Sequence, residues 1–379
     1  MGGGVIIITR ILEDVLPCIS MLLVEACTIV LTIAASTAMA RGMSPFVFVV
    51  YTNALASVIL LPSSFMANNR DKVQRPLFTS HLLWRVFLLG LIGVTIAQNL
   101  AFVGLFYSSP IVAISMANIV PALSFMLTAM LRSRKIDWRS VGSLAKTIGS
   151  LISMMGAISV TFYKGPLMRQ YAFALHSLRQ DPWRLVFTSK HDNWAMGCLL
   201  FAGGALSLSV WNMVQVGTIK KYPQVFRILS LYSLVGTVLT TVFAVFVERD
   251  PKAWKLELNL ELIVIVLTAI FQSLIRSNIQ LWCTRKKGPH FVAAFKPFGI
   301  IVASICGCTI FADTFHYGSM LSAFICGLGY YTLMWGNIRD EEPPKDLGNN
   351  HGGTGSTSSS QDMNLPDEKV PLLVGEEVV

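Results

Sequence analysis

Residues 16–38 read LPCISMLLVEACTIVLTIAASTA, twenty-three positions with a single charge, Glu25. A helix crosses the hydrocarbon with about 20 apolar residues, so this stretch is long enough to span a bilayer. It is too long for the core of a signal peptide and shows no clear cleavage site, so it reads as an uncleaved helix. Nine more windows follow, near Phe46–Met66, Val86–Phe106, Pro110–Leu131, Val141–Phe162, Ala195–Gly217, Val225–Val247, Leu262–Cys283, His290–Phe311 and Gly318–Gly336. Backbone groups in lipid must bond within their own segment, which favours helices over isolated strands. The pattern therefore predicts an all-α integral membrane protein with ten transmembrane helices.

Composition agrees. Over the 379 residues, 53% are hydrophobic, 13% are charged and the mean hydropathy is +0.59. A soluble domain needs about 25% charged residues to meet water. The net charge of +9 would suggest nucleic acid in a soluble chain. Here the cations sit in short gaps between apolar runs, the positive-inside pattern, which excludes that partner. With the N-terminus in the cytosol, the even-numbered loops carry Arg70, Lys72 and Arg75, then Arg132 to Arg139, Lys220 and Lys221, and Arg285 to Lys287. Both termini are therefore expected on the cytosolic side.

The chain also repeats. Pro45 and Pro223 open the second and seventh windows, and Ser109-Pro110 and Gly288-Pro289 the fourth and ninth, at offsets of 178 and 179 residues. Two consecutive units of five helices must have opposite orientation, an inverted repeat whose usual use is alternating access around a midplane site. The expected layout is a cytosolic N-terminus (1–15), a first repeat (16–162), a non-cytosolic loop (163–194), a second repeat (195–336) and a tail (337–379). The tail is rich in Glu, Asp, Gly, Ser and Pro and buries too little apolar surface to fold alone. Within it Glu368, Leu372 and Leu373 have the spacing of an acidic dileucine sorting signal, a motif read by adaptor complexes.

Ionisable groups at membrane depth cost about 2.5–3.5 kcal/mol each and are rare without a function. Glu25, Arg276 and Lys296 stand out. Glu25 shares a helical stripe with Thr28, Thr32 and Ser36, and Arg276 shares one with Gln272 and Gln280. Two such stripes are what a wet cavity needs from its walls; the plainer reading of the hydroxyls is hydrogen bonding within the bundle. Asn118 lies three residues before Pro121, and Lys296 immediately before Pro297. Proline frees a carbonyl inside a helix, and breaks at corresponding places in two halves point to a binding site or to packing kinks. Asn99 is a weaker candidate. The seven cysteines form no CxxC pair or His/Cys cluster, so neither metal nor cofactor is implied. HExxH, P-loop and GxSxG motifs are absent, which argues against an enzyme.

Several short stretches stand in a characteristic order along the chain. They are Gln98-Asn99, Ser109-Pro110, Asn118-Ile-Val-Pro121-Ala122, Ala145-Lys146 and Tyr163-Lys-Gly-Pro166 in the first half. In the second they are Phe246-Val-Glu-Arg-Asp250 with Ala253-Trp254, Arg285-Lys-Lys-Gly-Pro289, Phe295-Lys-Pro297, Tyr317-Gly-Ser319 and Met334-Trp-Gly336. In this order they resemble a plant family of drug/metabolite carriers, the EamA-like proteins related to Walls Are Thin 1, also called UMAMIT transporters. The resemblance implies ten helices and transport of amino acids or, in some members, auxin. The chain departs from the family at Tyr51-Thr52, where many members carry Tyr-Arg, and at Arg276, where uncharged polar residues are usual.

These readings define a secondary carrier for small polar metabolites, amino acids first, with auxin or another organic anion as the alternative. A channel or a membrane enzyme or receptor is the rival class. The site would join Glu25, Asn118, Arg276 and Lys296, with formal charge near +1, which suits a zwitterion or a carboxylate. Glu25 could bind an amine, neutralise Arg276 or take a coupling proton. The expected membrane is the plasma membrane, with the vacuolar membrane as alternative.

Overall fold

The computed structural model describes residues 2–68, 80–131, 140–162, 194–222, 225–256, 260–310 and 317–341. The dileucine motif and the long loop 163–193 lie outside them. The described residues form ten helical segments: α1 Gly2–Ala40, α2 Pro45–Asn68, α3 Ser80–Tyr107, α4 110–131, α5 Val141–Phe162, α6 Trp194–Lys221, α7 Val225–Val247, α8 Leu260–Lys287, α9 289–310 and α10 Tyr317–Glu341. Eight of them, α1 to α8, are long and apolar enough to cross a membrane by length and composition. The ninth is interrupted, and the tenth carries more polar residues. The protein is an all-α integral membrane protein built as two inverted five-helix repeats.

Local chemistry explains the helix starts. Pro45 opens α2, Pro110 opens α4 and Pro289 opens α9, each where the missing N–H has no partner to lose. The corner between α1 and α2 turns on Gly42, at φ +115°, and the one between α8 and α9 on Gly288, at φ +87°. Both backbones are ones that a Cβ disfavours. Within the helices, hydroxyls donate to the preceding turn, as Thr28 does to Val24 O at 2.8 Å and Thr32 to Thr28 O at 2.9 Å. Such bonds satisfy polar side chains where water is excluded.

The helices pack as a membrane bundle does. Leu23, Val30, Val58, Met155, Phe246 and Ile263 point outward and are exposed, a face suited to lipid. Inside, small residues let backbones approach. Helix α5 lies along α10 through Gly149, Gly156, Gly329 and Gly336. A Cβ on Gly149 would fall 2.5 Å from Leu333 N, and one on Gly336 2.7 Å from Gly142 O. Ser322 Oγ donates to Gly156 O across the same seam.

Two pairs of irregularities mark the repeat. Helix α3 contains a π-helical segment, Gly90–Gln98, and α8, its counterpart five helices later, contains Phe271–Arg276. Helix α4 breaks at Asn118–Ile119, and α9 breaks at 295–297. Asn118 and Pro297 are 179 residues apart, the spacing of the proline pair that opens the same two helices. Distortions recurring at one offset are the backbone signature of a duplicated unit.

Candidate functional site

A cavity of about 70 Å³ lies in the bundle interior. Helix α1 contributes Glu25, Thr28 and Thr32; α4 contributes Asn118; α8 contributes Arg276; α9 contributes Lys296; and α10 contributes Tyr330. Ile29, Ile114 and Leu208 supply apolar wall. Towards one end the cavity gives way to a large core that includes Met39, Phe48, Phe102, Leu105 and Val112. Towards the other, Met21 lies one turn before Glu25 and Val292 one turn before Lys296, and these two pack with Cys283.

The four leading candidates from the sequence therefore meet. Glu25 is 4% and Arg276 3% exposed, so both charges are out of water. Glu25 Oε1 and Asn118 Nδ2 make no hydrogen bond among the described residues. A buried acceptor and a buried donor left open at one cavity are groups for which a ligand would compensate. The acid comes from the first repeat and both cations from the second. Opposite charges attract more strongly at a buried site than in water.

The π segment explains how Arg276 reaches the cavity. In α8 the Ser277 hydroxyl donates to Gln272 O, five residues back, at 2.8 Å. Over Phe271–Arg276 the π-helical backbone widens the turn, so Gln272 and Arg276, four apart within it, no longer share a face. Gln272 is half-buried and Gln280 buried, and neither lines the cavity although Arg276 does. Asn99 also lies off it. It follows the π segment of α3, is 5% exposed, and donates through Nδ2 to Thr95 O at 2.6 Å. Its neighbour Gln98 accepts from Asn53 Nδ2. The threonines serve both readings, since Thr28 and Thr32 line the cavity yet donate to their own helix.

Lys296 is presented by the break in α9. Pro297 has no N–H for Ala293 O, its partner four residues back. The chain tightens into i→i+3 bonds, Lys296 N to Ala293 O at 3.2 Å and Phe298 N to Phe295 O at 3.0 Å. Two tyrosines of α10 take up the carbonyls left short: Tyr330 OH donates to Ala293 O and Tyr331 OH to Ala294 O, each at 3.0 Å. Sequence reading missed both tyrosines. A signal was present, because a tyrosine at membrane depth needs a hydrogen-bond partner and Pro297 creates one.

A ten-helix bundle with opposite charges brought together in a buried interior cavity has the build of a membrane transporter. Residues 16–162 match the model of the EamA-like transporter family. The chain belongs to the WAT1-related proteins. Two WAT1-related proteins of Arabidopsis thaliana are each 43% identical to it, one across 96% of this chain and 97% of its own, the other across 96% of both. Protein WALLS ARE THIN 1 of the same plant is 31% identical over 82% of this chain and 80% of its own. One solved crystal structure, 15% identical, covers 86% of this chain and 98% of that one at a TM-score of 0.50, a likeness of fold.

Proposed function

We propose that this membrane transporter is a secondary carrier for small polar metabolites, amino acids first, working by alternating access between its two repeats (16–162 and 195–336). The observation that carries the reading is the common cavity of Glu25, Arg276 and Lys296. A zwitterion fits it by setting its ammonium toward the carboxylate and its carboxylate toward the cations. The formal charge of the three, +1, supports a second reading as an organic-anion carrier, auxin included.

The deciding experiment is uptake of radiolabelled amino acids, auxin and organic acids into proteoliposomes. The expected outcome is saturable uptake of at least one amino acid, accelerated by unlabelled substrate on the opposite side. Uptake of anions alone would favour the second reading, and flux without such exchange would favour a channel. We further propose that both termini are cytosolic and that the protein resides in the plasma membrane, with Glu368, Leu372 and Leu373 directing its sorting through an adaptor. In a cysteine-depleted variant, Arg41→Cys should react with an impermeant reagent outside intact cells and Lys221→Cys should not; the reverse pattern would invert the topology.

A further inference from the structure

The α9 break has two outside ties, and they differ. Tyr331 is 45% exposed, and its hydroxyl secures Ala294 O from the rim of the bundle. Tyr330 is 4% exposed, lines the cavity, and secures Ala293 O, the carbonyl that Pro297 deprives of its helical partner. That same carbonyl accepts from the backbone N–H of Lys296. Helix α10 passes close to this point at Gly327, where a Cβ would fall 3.2 Å from Ile300 Cδ1 and 3.8 Å from Pro297 Cβ. The turn that carries Lys296 thus shares an acceptor with the Tyr330 hydroxyl. A lysine on a flexible four-carbon stem gives directional recognition only if its backbone is held.

Resting on the carrier reading above, we propose that Tyr330 is a positioning residue for Lys296. Its hydroxyl fixes the α9 turn so that the ammonium meets the anionic group of the substrate, which makes Tyr330 a determinant of selectivity for carboxylate-bearing ligands. Tyr330→Phe keeps the ring and removes the tie. Losing one such bond should raise KM for carboxylate substrates about fivefold, with Vmax little changed. The effect should vanish in a Lys296→Met background, because the residue it acts through is gone.

Uptake of radiolabelled L-glutamine by proteoliposomes holding the parent, Tyr330→Phe, Lys296→Met and the double variant tests this. A double variant with the KM of Lys296→Met alone supports positioning. An equal rise in KM in both backgrounds overturns it, since Tyr330 would then act on the substrate directly or on the fold at large; so does no rise in either. A second measurement needs no substrate. In a cysteine-depleted full-length chain with Lys296→Cys, labelling by methanethiosulfonate-ethylammonium should run several-fold faster with Tyr330→Phe than without. Equal rates would show that the hydroxyl does not hold the turn. Faster labelling together with an unchanged KM in Lys296→Met would leave the tie standing, remove Lys296 from the site, and so overturn both the carrier site and the selectivity role.

Discussion

Helices α4 and α9 break at corresponding points of the two repeats, yet the breaks carry different chemistry. At Asn118–Ile119 the function facing the cavity is a neutral amide, and a hydroxyl from the other repeat reaches the chain nearby: Ser209 Oγ donates to Val120 O at 3.1 Å. At 295–297 the function is an ammonium, and two tyrosines of its own repeat donate to the carbonyls of Ala293 and Ala294 just before it. Helices α3 and α8 differ in the same sense, one π segment ending in Gln98 and the other in Arg276. The carboxylate comes from α1, while its counterpart α6 contributes only Leu208 to the cavity. Duplication preserved the backbone distortions, and divergence of side chains made the site polar in one direction. An asymmetric site in a pseudo-symmetric frame can orient a substrate with unlike ends.

The largest effect expected from this asymmetry is at Glu25 and Arg276. Both charges are buried at one cavity, so neutralising one should leave the other with less compensation, at up to about 3–5 kcal/mol. Glu25→Gln and Arg276→Gln should each lower membrane abundance and thermal stability in detergent. The double change should restore both but leave uptake lost. Additive losses in the cycle would mean that the two repeats do not compensate each other across the cavity.

Next comes the pair of π segments. Gly93 of α3 lies under Trp211, whose indole occupies the space a Cβ would need. Gly93→Ala should destabilise the protein by about 1–3 kcal/mol through overpacking. Its counterpart 179 residues on, Gln272, is half-buried. Gln272→Ala should stay within about 0.5 kcal/mol. Similar melting shifts for the two would show that the segments are packed alike.

The breaks themselves can be compared through transport. A hydrogen bond to a charged group is worth more than a neutral one, so Lys296→Met should raise KM about tenfold or more and Asn118→Ala about fivefold. Equal effects would mean that the amide and the ammonium do equivalent work.

The sequence made the ten spans legible because bilayer crossing depends on summed apolarity along a segment. The window Leu16–Ala38 falls inside α1, and Val86–Phe106 inside α3. It also exposed Glu25, Arg276, Lys296 and Asn118, since charge and proline at membrane depth are costly wherever the helix faces. Helix rotation was not legible. The stripe of Gln272, Arg276 and Gln280 assumed 3.6 residues per turn, and the π segment changes that period over its first half, from Gln272 to Arg276. A composition of Phe, Gln, Ser, Leu, Ile and Arg carries no local mark of π geometry, which packing against neighbours decides. The tyrosine ties were hidden for a related reason, because they depend on which face of α10 meets α9.

The smallest expected effect separates a tie that holds the fold from one that serves the site. Ser209 is fully buried on α6, and its hydroxyl lies 2.7 Å from Ala205 O in its own helix and 3.1 Å from Val120 O. One proton is shared between two carbonyls, so neither bond is at full strength. Val120 is also past the Asn118–Ile119 break, within the helix that resumes there, so its carbonyl is not the one left short by Pro121, which is Ala117 O. Ser209→Ala should therefore lower stability by less than about 1 kcal/mol. It should leave KM for L-glutamine where it was, because Asn118 would still be held by its own N–H bond to Ile114 O at 3.2 Å. Tyr330→Phe should do the opposite, with a modest change in melting and a clear change in KM. If Ser209→Ala moves KM as Tyr330→Phe does, the first break is positioned from outside as the second is. The asymmetry between the repeats would then lie in charge alone.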